Sequence, residues 1–365
     1  MDKRDVIAVI GTRGFPDVQG GVERHCQSLY GLLADYVTPR VYRRKPYVKA
    51  AAKHDGIEFV DLPSTRIAGV ETLLHTFLCV WHVWRHKPRL VHLHNIGPGV
   101  FAPLFKWMGL PVVLTYHSAN YEHNKWNRLE RAFLRWCERV ALRNSDRIIF
   151  VNRLQMEKFP DSVQQRAVAI PNGVWPAQRT ASTAFLEQQG ITPGNYLLAV
   201  GRITPEKGLR YLVEAVNQLD DGPTLVIAGE VSSAGYHRQL MRLDTKGKVI
   251  YTGYANKAQL TELYNHARAF VLASVNEGLP IVLLEAMSHG LPIVATDLPA
   301  TRVVKLPEHC YCASGDTAAL RDAIARCLAQ AHDGPTTYDL TAFDWVKIAQ
   351  ATLGIYNDTL QQRQK

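Results

Sequence analysis

Val6-Ile-Ala-Val-Ile10-Gly11-Thr-Arg-Gly14 opens the chain, and Tyr196-Leu-Leu-Ala-Val200-Gly201-Arg-Ile-Thr-Pro-Glu-Lys-Gly208 opens its second half. Each is a five-residue apolar run closed by a glycine and followed by a helical pattern. A strand this hydrophobic has no solvent face, and strands buried on both sides belong to parallel sheets covered by helices. The same arrangement continues outward. Residues 6–10, 89–93, 112–116, 147–151 and 168–170 read as strands of a first sheet, and 196–200, 224–228, 249–252, 269–272 and 292–295 as strands of a second. Helical patterns fall between them at 23–33, 73–85, 128–143, 208–219, 257–266 and 281–288. Strand and helix alternate twice over, which predicts an α/β protein of two Rossmann-like, doubly wound parallel-sheet domains. The turn-rich Ile170-Pro-Asn-Gly-Val-Trp-Pro176 marks the hinge between 1–172 and 173–342. The last helical stretch, 343–360, follows a loop containing Asp333-Gly-Pro335, and the segment 343–365 is expected to pack back on the first domain.

A length of 365 residues suits two domains, and 47% hydrophobic with 21% charged residues is a globular composition. No run of eighteen apolar residues occurs, and Met1-Asp-Lys-Arg-Asp5 leads straight into a buried strand. The expected location is the cytoplasm, with peripheral attachment to the cytoplasmic face of the inner membrane. Six scattered cysteines, with only Cys310 and Cys312 close together, read as reduced structural thiols.

The net charge of +9 is uneven. Residues 1–172 hold 25 Lys and Arg against 15 Asp and Glu, whereas 173–365 hold 17 against 18. The excess includes the stretch Arg40-Val-Tyr-Arg-Arg-Lys-Pro-Tyr-Val-Lys49 and a helical train of Arg128, Arg131, Arg135, Arg139 and Arg143. Such a face suits anionic lipid, a phosphorylated acceptor or simple solvation. The segment Thr72–Trp84, beside Arg85 and Lys87, is apolar enough to touch a bilayer and equally suits a helix packed on the first sheet. No nucleic-acid-reading module accompanies this charge, so a nucleic-acid partner is not expected.

Ligands of open parallel sheets bind beyond the C-terminal ends of the strands. Motifs with chemistry stand there. After the first strand come Gly11-Thr-Arg-Gly14 and Gln19-Gly-Gly-Val-Glu23, whose glycines let backbone N–H groups approach an anion and which also suit a plain turn. After the first strand of the second half, Arg202 offers a planar fork and Lys207 a compact ammonium, the two groups that neutralise a diphosphate; Glu206 and Lys207 also suit helix capping. In Ser274-Val-Asn-Glu-Gly-Leu-Pro-Ile-Val-Leu-Leu-Glu285 two acids flank a helix start, Glu277 in the loop above it and Glu285 about two turns down. A capping carboxylate and a solvated helix residue would give the same spacing. His92, His94 and His117 stand at strand ends, where a histidine is either a ligand or a satisfied structural residue. His92 and His94 have metal-like spacing, but no acidic or cysteine partner, so no metal is assigned.

Taken in order, Gly20-Gly-Val-Glu23, Thr115-Tyr-His117, Pro171-Asn-Gly-Val174, Gly201-Arg…Glu-Lys-Gly208 and Glu277-Gly-Leu-Pro…Glu285-Ala-Met…Gly290-Leu-Pro-Ile-Val294 resemble the successive motifs of the retaining glycosyltransferase family 4. Gly11-Thr-Arg-Gly-Phe-Pro16 further resembles a bacterial branch with rhamnosyl- and hexosyltransferases of surface polysaccharide assembly. The resemblance implies a GT-B fold, two Rossmann-like domains facing a central cleft, with acceptor bound by the first and donor by the second. It implies catalytic roles for His117, Arg202, Lys207 and Glu277. It also implies donor contacts by Gly20, Gly21, Gly201, Arg202, Lys207, Tyr254, Glu277, Gly278, Leu279, Pro280 and Glu285. Within that set Arg202 and Lys207 take the diphosphate, Glu277 and His117 the sugar, and Glu285 the ribose. One departure is that Gly278 is followed by Leu279-Pro-Ile281 rather than Phe-Gly-Leu-Pro.

The resulting expectation is transfer of a hexose or deoxyhexose, with retention and without a metal or other cofactor, from a UDP-, dTDP- or GDP-sugar to a saccharide or lipid-linked acceptor. A nucleotide-sugar epimerase or hydrolase of the same fold is the enzymatic alternative, and a nucleic-acid-binding protein the non-enzymatic one.

Overall fold

The computed structural model describes residues 1–48, 54–67, 69–119, 127–220, 222–330 and 334–363. The chain divides into two compact units, Met1–Gly173 with Phe343–Lys365, and Val174–Ala342.

The first unit is built on seven strands: β1 (Val6–Ile10), β2 (Thr38–Arg44), β3 (Glu58–Leu62), β4 (Leu90–His94), β5 (Val112–Tyr116), β6 (Arg147–Phe150) and β7 (Ala167–Ala169). They pair in parallel in the order β3-β2-β1-β4-β5-β6-β7. Alternate residues point to opposite faces, and each face has its own core. Ala8, Ile10, Val91, Leu93, Val112, Leu114 and Tyr116 meet helices α2 (Val70–His86), α3 (Ala102–Trp107) and α4 (Arg128–Asn144) through Cys79, Val83, Phe105 and Ala141. Ile7, Val9, Leu90, Val113 and Ile149 meet α1 (Gly21–Leu33) through Cys26, Leu29, Tyr30 and Leu33. The last helix of the chain, written α7 (Trp345–Gln362), also packs on this second face, through Trp345, Ile348, Ala349 and Tyr356. Its entry is fixed by the Asp344 carboxylate, which accepts from Val346 N and Lys347 N, and by Trp345, whose ring lies where a side chain at Gly173 would stand.

In the second unit β8 (Tyr196–Val200), β9 (Thr224–Ala228), β10 (Val249–Gly253), β11 (Ala269–Leu272), β12 (Ile293–Thr296) and β13 (Tyr311–Cys312) pair in parallel in the order β10-β9-β8-β11-β12-β13. In both sheets the first strand lies inside, and strand order reverses between β1 and β4 and between β8 and β11. At such a switch point the loops leaving the two strands diverge and leave a crevice.

A glycine makes the crossing tight in each unit. Gly11 has φ 118°, and a Cβ there would run into the His94 carbonyl oxygen at the end of β4. Gly208 has φ 63°, and its Cβ would run into the Ala273 carbonyl oxygen just past β11. Only glycine tolerates both the backbone conformation and the approach.

Three strands, β2, β3 and β13, stood outside the sequence reading, and with the first of them one basic feature changes character. The stretch from Arg40 is not a solvated face: its first half is β2. Arg40 Nε donates to Glu58 at 2.7 Å, and Arg43 donates to both Asp61 oxygens at 2.6 and 2.9 Å while lying over the Phe59 ring. Arg44 pairs with Glu71 at 3.3 Å. Arg43 and Arg44 are buried, so these charges are neutralised within the sheet edge. Lys49 and Asp333 lie outside the described residues. The six cysteines are free thiols, five of them buried.

Candidate functional site

The loop leaving β8 carries Arg202 and ends in one 3-10 turn, Pro205–Lys207, before Gly208 turns it into helix α5 (Leu209–Asn217). Because Gly208 presses on the backbone after β11, Lys207 is delivered to the loop that leaves β11. There Lys207 Nζ donates to Glu277 Oε1 at 2.6 Å, and Ser274 Oγ donates to the same oxygen at 2.7 Å. The loop is held from behind, where Thr296 Oγ1 donates to the Ser274 carbonyl at 2.6 Å and Val275 N donates to the Glu206 carbonyl at 2.9 Å. Lys207 and Glu277 are both only partly buried. An ammonium has three N–H donors, so two remain for an anion, and Glu277 Oε2 has no partner among the described residues. The Arg202 guanidinium, also partly exposed, has no ion-pair partner among the described residues. The loops leaving β8 and β11 therefore carry two cations and one acid, with one carboxylate oxygen unpartnered among the described residues.

Helix α6 (Ile281–Ser288) follows Pro280 and buries Ile281, Leu283, Leu284, Ala286 and Met287, while Gly278, Leu279 and Pro280 are themselves buried. This apolar anchorage fixes the Glu277 loop to the sheet. Glu285 is the fifth residue of α6, a little over one turn in rather than two, and accepts from the Tyr264 hydroxyl at 3.0 Å. Tyr254 stands exposed after β10. Gly201 leaves β8 and rests against the Lys207 stem.

In the first unit the switch-point loops meet a buried polar cluster. His94, the last residue of β4, and His117, directly after β5, share a hydrogen bond of 3.0 Å between Nδ1 and Nε2. His94 Nε2 lies 2.7 Å from the Tyr30 hydroxyl of α1, which lies 2.7 Å from His92 Nδ1. His92 in turn meets the Tyr356 hydroxyl of α7 at 2.6 Å and Thr115 Oγ1 at 2.7 Å. His25 of α1 sits edge-on to His117, its Nδ1 bonded to Asn172 Oδ1 at 2.9 Å, its buried Nε2 without a partner. Burial lowers His25 to about 4, against the pull of Asn172, and lowers His92 to about 3 with help from His25. Burial and the neighbouring histidines depress His94 and His117 well below the ordinary range. All four rings are neutral at pH 7.

His25, His94 and His117 offer ring nitrogens within 4.8 Å of one another, which is the one such convergence capable of taking a metal ion among the described residues. His94 and His117 already share a hydrogen bond between His94 Nδ1 and His117 Nε2. Sequence reasoning paired His92 with His94 by spacing; His25 was missed, because a helix places it there and strand periodicity says nothing of it. Tyr30, Ser274 and Tyr356 were missed likewise. Gly20 and Gly21 open α1, where Glu23 folds back over Gly20 and accepts from Arg13 N at 3.0 Å.

A hollow of about 500 Å³ in the first unit is lined by Arg4, Lys87, Arg89 and Arg363 and lies at the N-terminal ends of β1 and β4. The ends of the strands that gather ligands are the opposite ones.

Residues 19–178 match the family profile described as Glycosyltransferase Family 4, and residues 194–330 match Glycosyl transferases group 1. The UDP-Gal:alpha-D-GlcNAc-diphosphoundecaprenol alpha-1,3-galactosyltransferase of Escherichia coli is 26% identical over 239 residues, covering 59% of each protein. The chain spans about three fifths of the length of such curated relatives. Among solved structures, sucrose-phosphate synthase from Thermosynechococcus elongatus superposes with a TM-score of 0.80 at 21% identity, over 98% of this chain and 100% of that one. Anabaena HepE in complex with UDP and glucose gives 0.77 at 17%, over 97% and 100%. These likenesses establish the fold.

Proposed function

The chain belongs to glycosyltransferase family 4 and has the GT-B fold; from that premise we propose that it transfers a hexose or deoxyhexose from a nucleoside-diphosphate sugar to a saccharide or lipid-linked acceptor in surface polysaccharide assembly. The observation that carries the reading is the Lys207–Glu277 pair at the β8/β11 switch point. As the glycosidic bond stretches, negative charge grows on the departing diphosphate, and the free N–H donors of Lys207 and the fork of Arg202 stabilise it. The unpaired Glu277 Oε2 accepts a sugar hydroxyl, and Glu285 a ribose hydroxyl. Retention follows if the departing diphosphate deprotonates the acceptor on the face it leaves. Positive charge comes from side chains in this scheme, so no metal is assigned a role. Complexes of HepE with UDP and glucose support a uridine donor as the first to try, with dTDP- and GDP-sugars beside it.

Calorimetric titration with UDP, dTDP and GDP tests the donor assignment. At least one binds with micromolar affinity to the wild type, and the Lys207→Ala variant binds it at least about tenfold more weakly, as loss of a charge-assisted contact requires. Equal affinity in both proteins would remove Lys207 from the site.

The acceptor side carries a second part of the proposal, an anionic membrane surface that presents lipid-linked acceptor. Helix α2 buries His75, Thr76, Cys79, Val80 and Val83 yet exposes Val70, Leu74, Phe77, Trp81 and Trp84, an apolar stripe at helical spacing on its outer side. Leu104 and Trp107 of α3 and Leu129, Phe133 and Trp136 of α4 are exposed on the neighbouring helices, with Trp107 and Leu129 each 82% exposed. Arg85, Lys87, Arg128, Arg135 and Arg139 stand exposed among them. Aromatic side chains flanked by arginine match an anionic lipid interface, where each cation adds about 1 kcal/mol. No helix is long and apolar enough to cross a membrane among the described residues. The wild type is expected to float with vesicles of phosphatidylglycerol and phosphatidylcholine, and a Phe77→Ser, Trp81→Ser, Trp84→Ser variant to stay behind. Absence of flotation by the wild type contradicts the membrane part and leaves the donor site untouched.

A further inference from the structure

The ends of the first sheet opposite the crevice hold a second candidate site. The hollow of about 500 Å³ there is ringed by Arg4 ahead of β1, Lys87 at the end of α2, Arg89 just before β4 and Arg363 at the end of α7, with Leu110 and Leu360 as apolar lining. Four cations round one cavity repel one another, and the acids within reach do not balance them. Asp2 pairs with Arg4 and Asp146 with Arg363, each at 3.2 Å, but Asp146 is shared with Lys106, also at 3.2 Å. Asp5 stands 3.8 Å from Arg89, and Lys87 has no ion-pair partner among the described residues. Five cations thus meet three acids.

Helix C-termini attract cations, and Arg363 serves that purpose, donating to the Gly109 carbonyl beyond α3 at 2.6 Å. Arg4 and Arg89 flank strands, so helix dipoles do not account for them. Lys87 caps α2 in the left-handed conformation, φ 34° and ψ 72°, where glycine is the stable choice. A cation without an ion-pair partner is therefore held in a strained backbone position, a combination that belongs to binding sites more than to packing. The surroundings are aromatic. Trp84 stands one turn before Lys87, and Trp107 two residues before Gly109, which lines the hollow; both rings are exposed. Exposed tryptophans beside a basic hollow are the side chains of an interfacial lipid site.

We propose that the hollow seats the headgroup of an anionic lipid that carries two phosphates. Membrane contact by α2, proposed above, is the premise, and the hollow adds a specific site to it. A single phosphate leaves most of the space empty and meets two of the cations; two phosphates joined by a glycerol can meet all four. β1 and β4 hold five residues each, a span of about 17 Å, so a headgroup here is remote from the crevice and is not the sugar acceptor. Its role is to hold the first unit at a fixed place on the bilayer, with the apolar stripe of α2 immersed beside it.

Flotation with vesicles matched in lipid charge tests the site. One set holds phosphatidylglycerol in phosphatidylcholine, one phosphate per headgroup; the other holds half the molar amount of cardiolipin, two phosphates per headgroup. Diffuse charge treats both sets alike, whereas a seated headgroup favours cardiolipin, by about tenfold for the wild type. Lys87→Gly with Arg89→Gln is expected to bring that ratio to about one, and because glycine suits the left-handed position the variant keeps its fold, which circular dichroism checks. If the double variant does not fold, Lys87→Gly alone is measured against the same expectation of a reduced ratio. Glycerol bisphosphate, the same two phosphates without acyl chains, separates a lipid from a soluble ligand: by calorimetry it is expected to bind the wild type at millimolar concentration only. Equal flotation of the wild type with both sets overturns the proposal, as does a cardiolipin preference that survives in the folded variant. Micromolar binding of glycerol bisphosphate without a cardiolipin preference overturns it in favour of a soluble anion. A wild type that floats with neither set defeats the membrane reading and this site together, an outcome distinct from flotation without preference.

Discussion

Lys207→Ala is expected to lower kcat/KM for sugar transfer by about 100-fold or more, the size associated with removing one preorganised donor from a developing anion. The loss has two parts. The ammonium that answers the departing diphosphate disappears, and Glu277, whose Oε1 it neutralises at 2.6 Å, becomes an unpaired carboxylate that repels the phosphates. Stability barely changes, because a partly exposed ion pair is worth no more than about 1 kcal/mol. Lys207→Arg restores charge but replaces a compact ammonium by a wider fork, and recovers only part of the rate. Glu277→Ala removes the hydroxyl acceptor while leaving Lys207 free, and costs at least about tenfold. Initial rates with a fixed donor, read beside circular dichroism melts, separate chemistry from folding. Unchanged turnover in folded variants would end the role assignment for both residues.

Gly208→Ala is expected to destabilise the second unit by about 3 kcal/mol, combining the cost of a left-handed backbone for a residue with a Cβ and a clash with backbone rather than with a yielding side chain. The steric partner is the Ala273 carbonyl oxygen, and φ is 63°. The shift lands on the loop that presents Lys207, so nucleotide affinity falls with stability. Scanning calorimetry should show the melting of the second unit lowered by about 6–12 °C. Gly354→Ala is the contrasting case: its Cβ meets nothing within 4 Å inside α7, and helix propensity raises stability by up to about 1 kcal/mol. A Gly208→Ala protein that melts like the wild type would mean that the β8/β11 crossing is looser than described.

The strands that surround each switch point were readable because burial on both faces leaves an uninterrupted apolar run, as in Val6–Ile10 and Tyr196–Val200. β2 was not, because Thr38–Arg44 holds three arginines whose neutralising partners, Glu58, Asp61 and Glu71, come from β3 and α2. Long-range pairing of this kind leaves no periodic signal, and the same residues read as a basic patch. β3, exposed at the sheet edge, and the two-residue β13 are too polar or too short to register. At the site, motif resemblance singled out Lys207 and Glu277, yet their contact across 70 residues belongs to the crossing that Gly208 allows. The histidine cluster was half visible. His92, His94 and His117 stand at strand ends, where the eye goes, but His25 and Tyr30 come from a helix and Tyr356 from the far end of the chain. Their encounter depends on α1 and α7 packing on one face of the first sheet.

Product analysis tests the central claim most directly. The protein is incubated with UDP-, dTDP- and GDP-hexoses and deoxyhexoses, with and without saccharide and polyprenyl-diphosphate-saccharide acceptors, and the anomeric proton of any product is read by NMR. The account predicts nucleoside diphosphate released in step with a new glycoside, only when acceptor is present, and with the donor's anomeric configuration kept. A donor that is epimerised or hydrolysed equally well without acceptor, or a glycoside of inverted configuration, would contradict it.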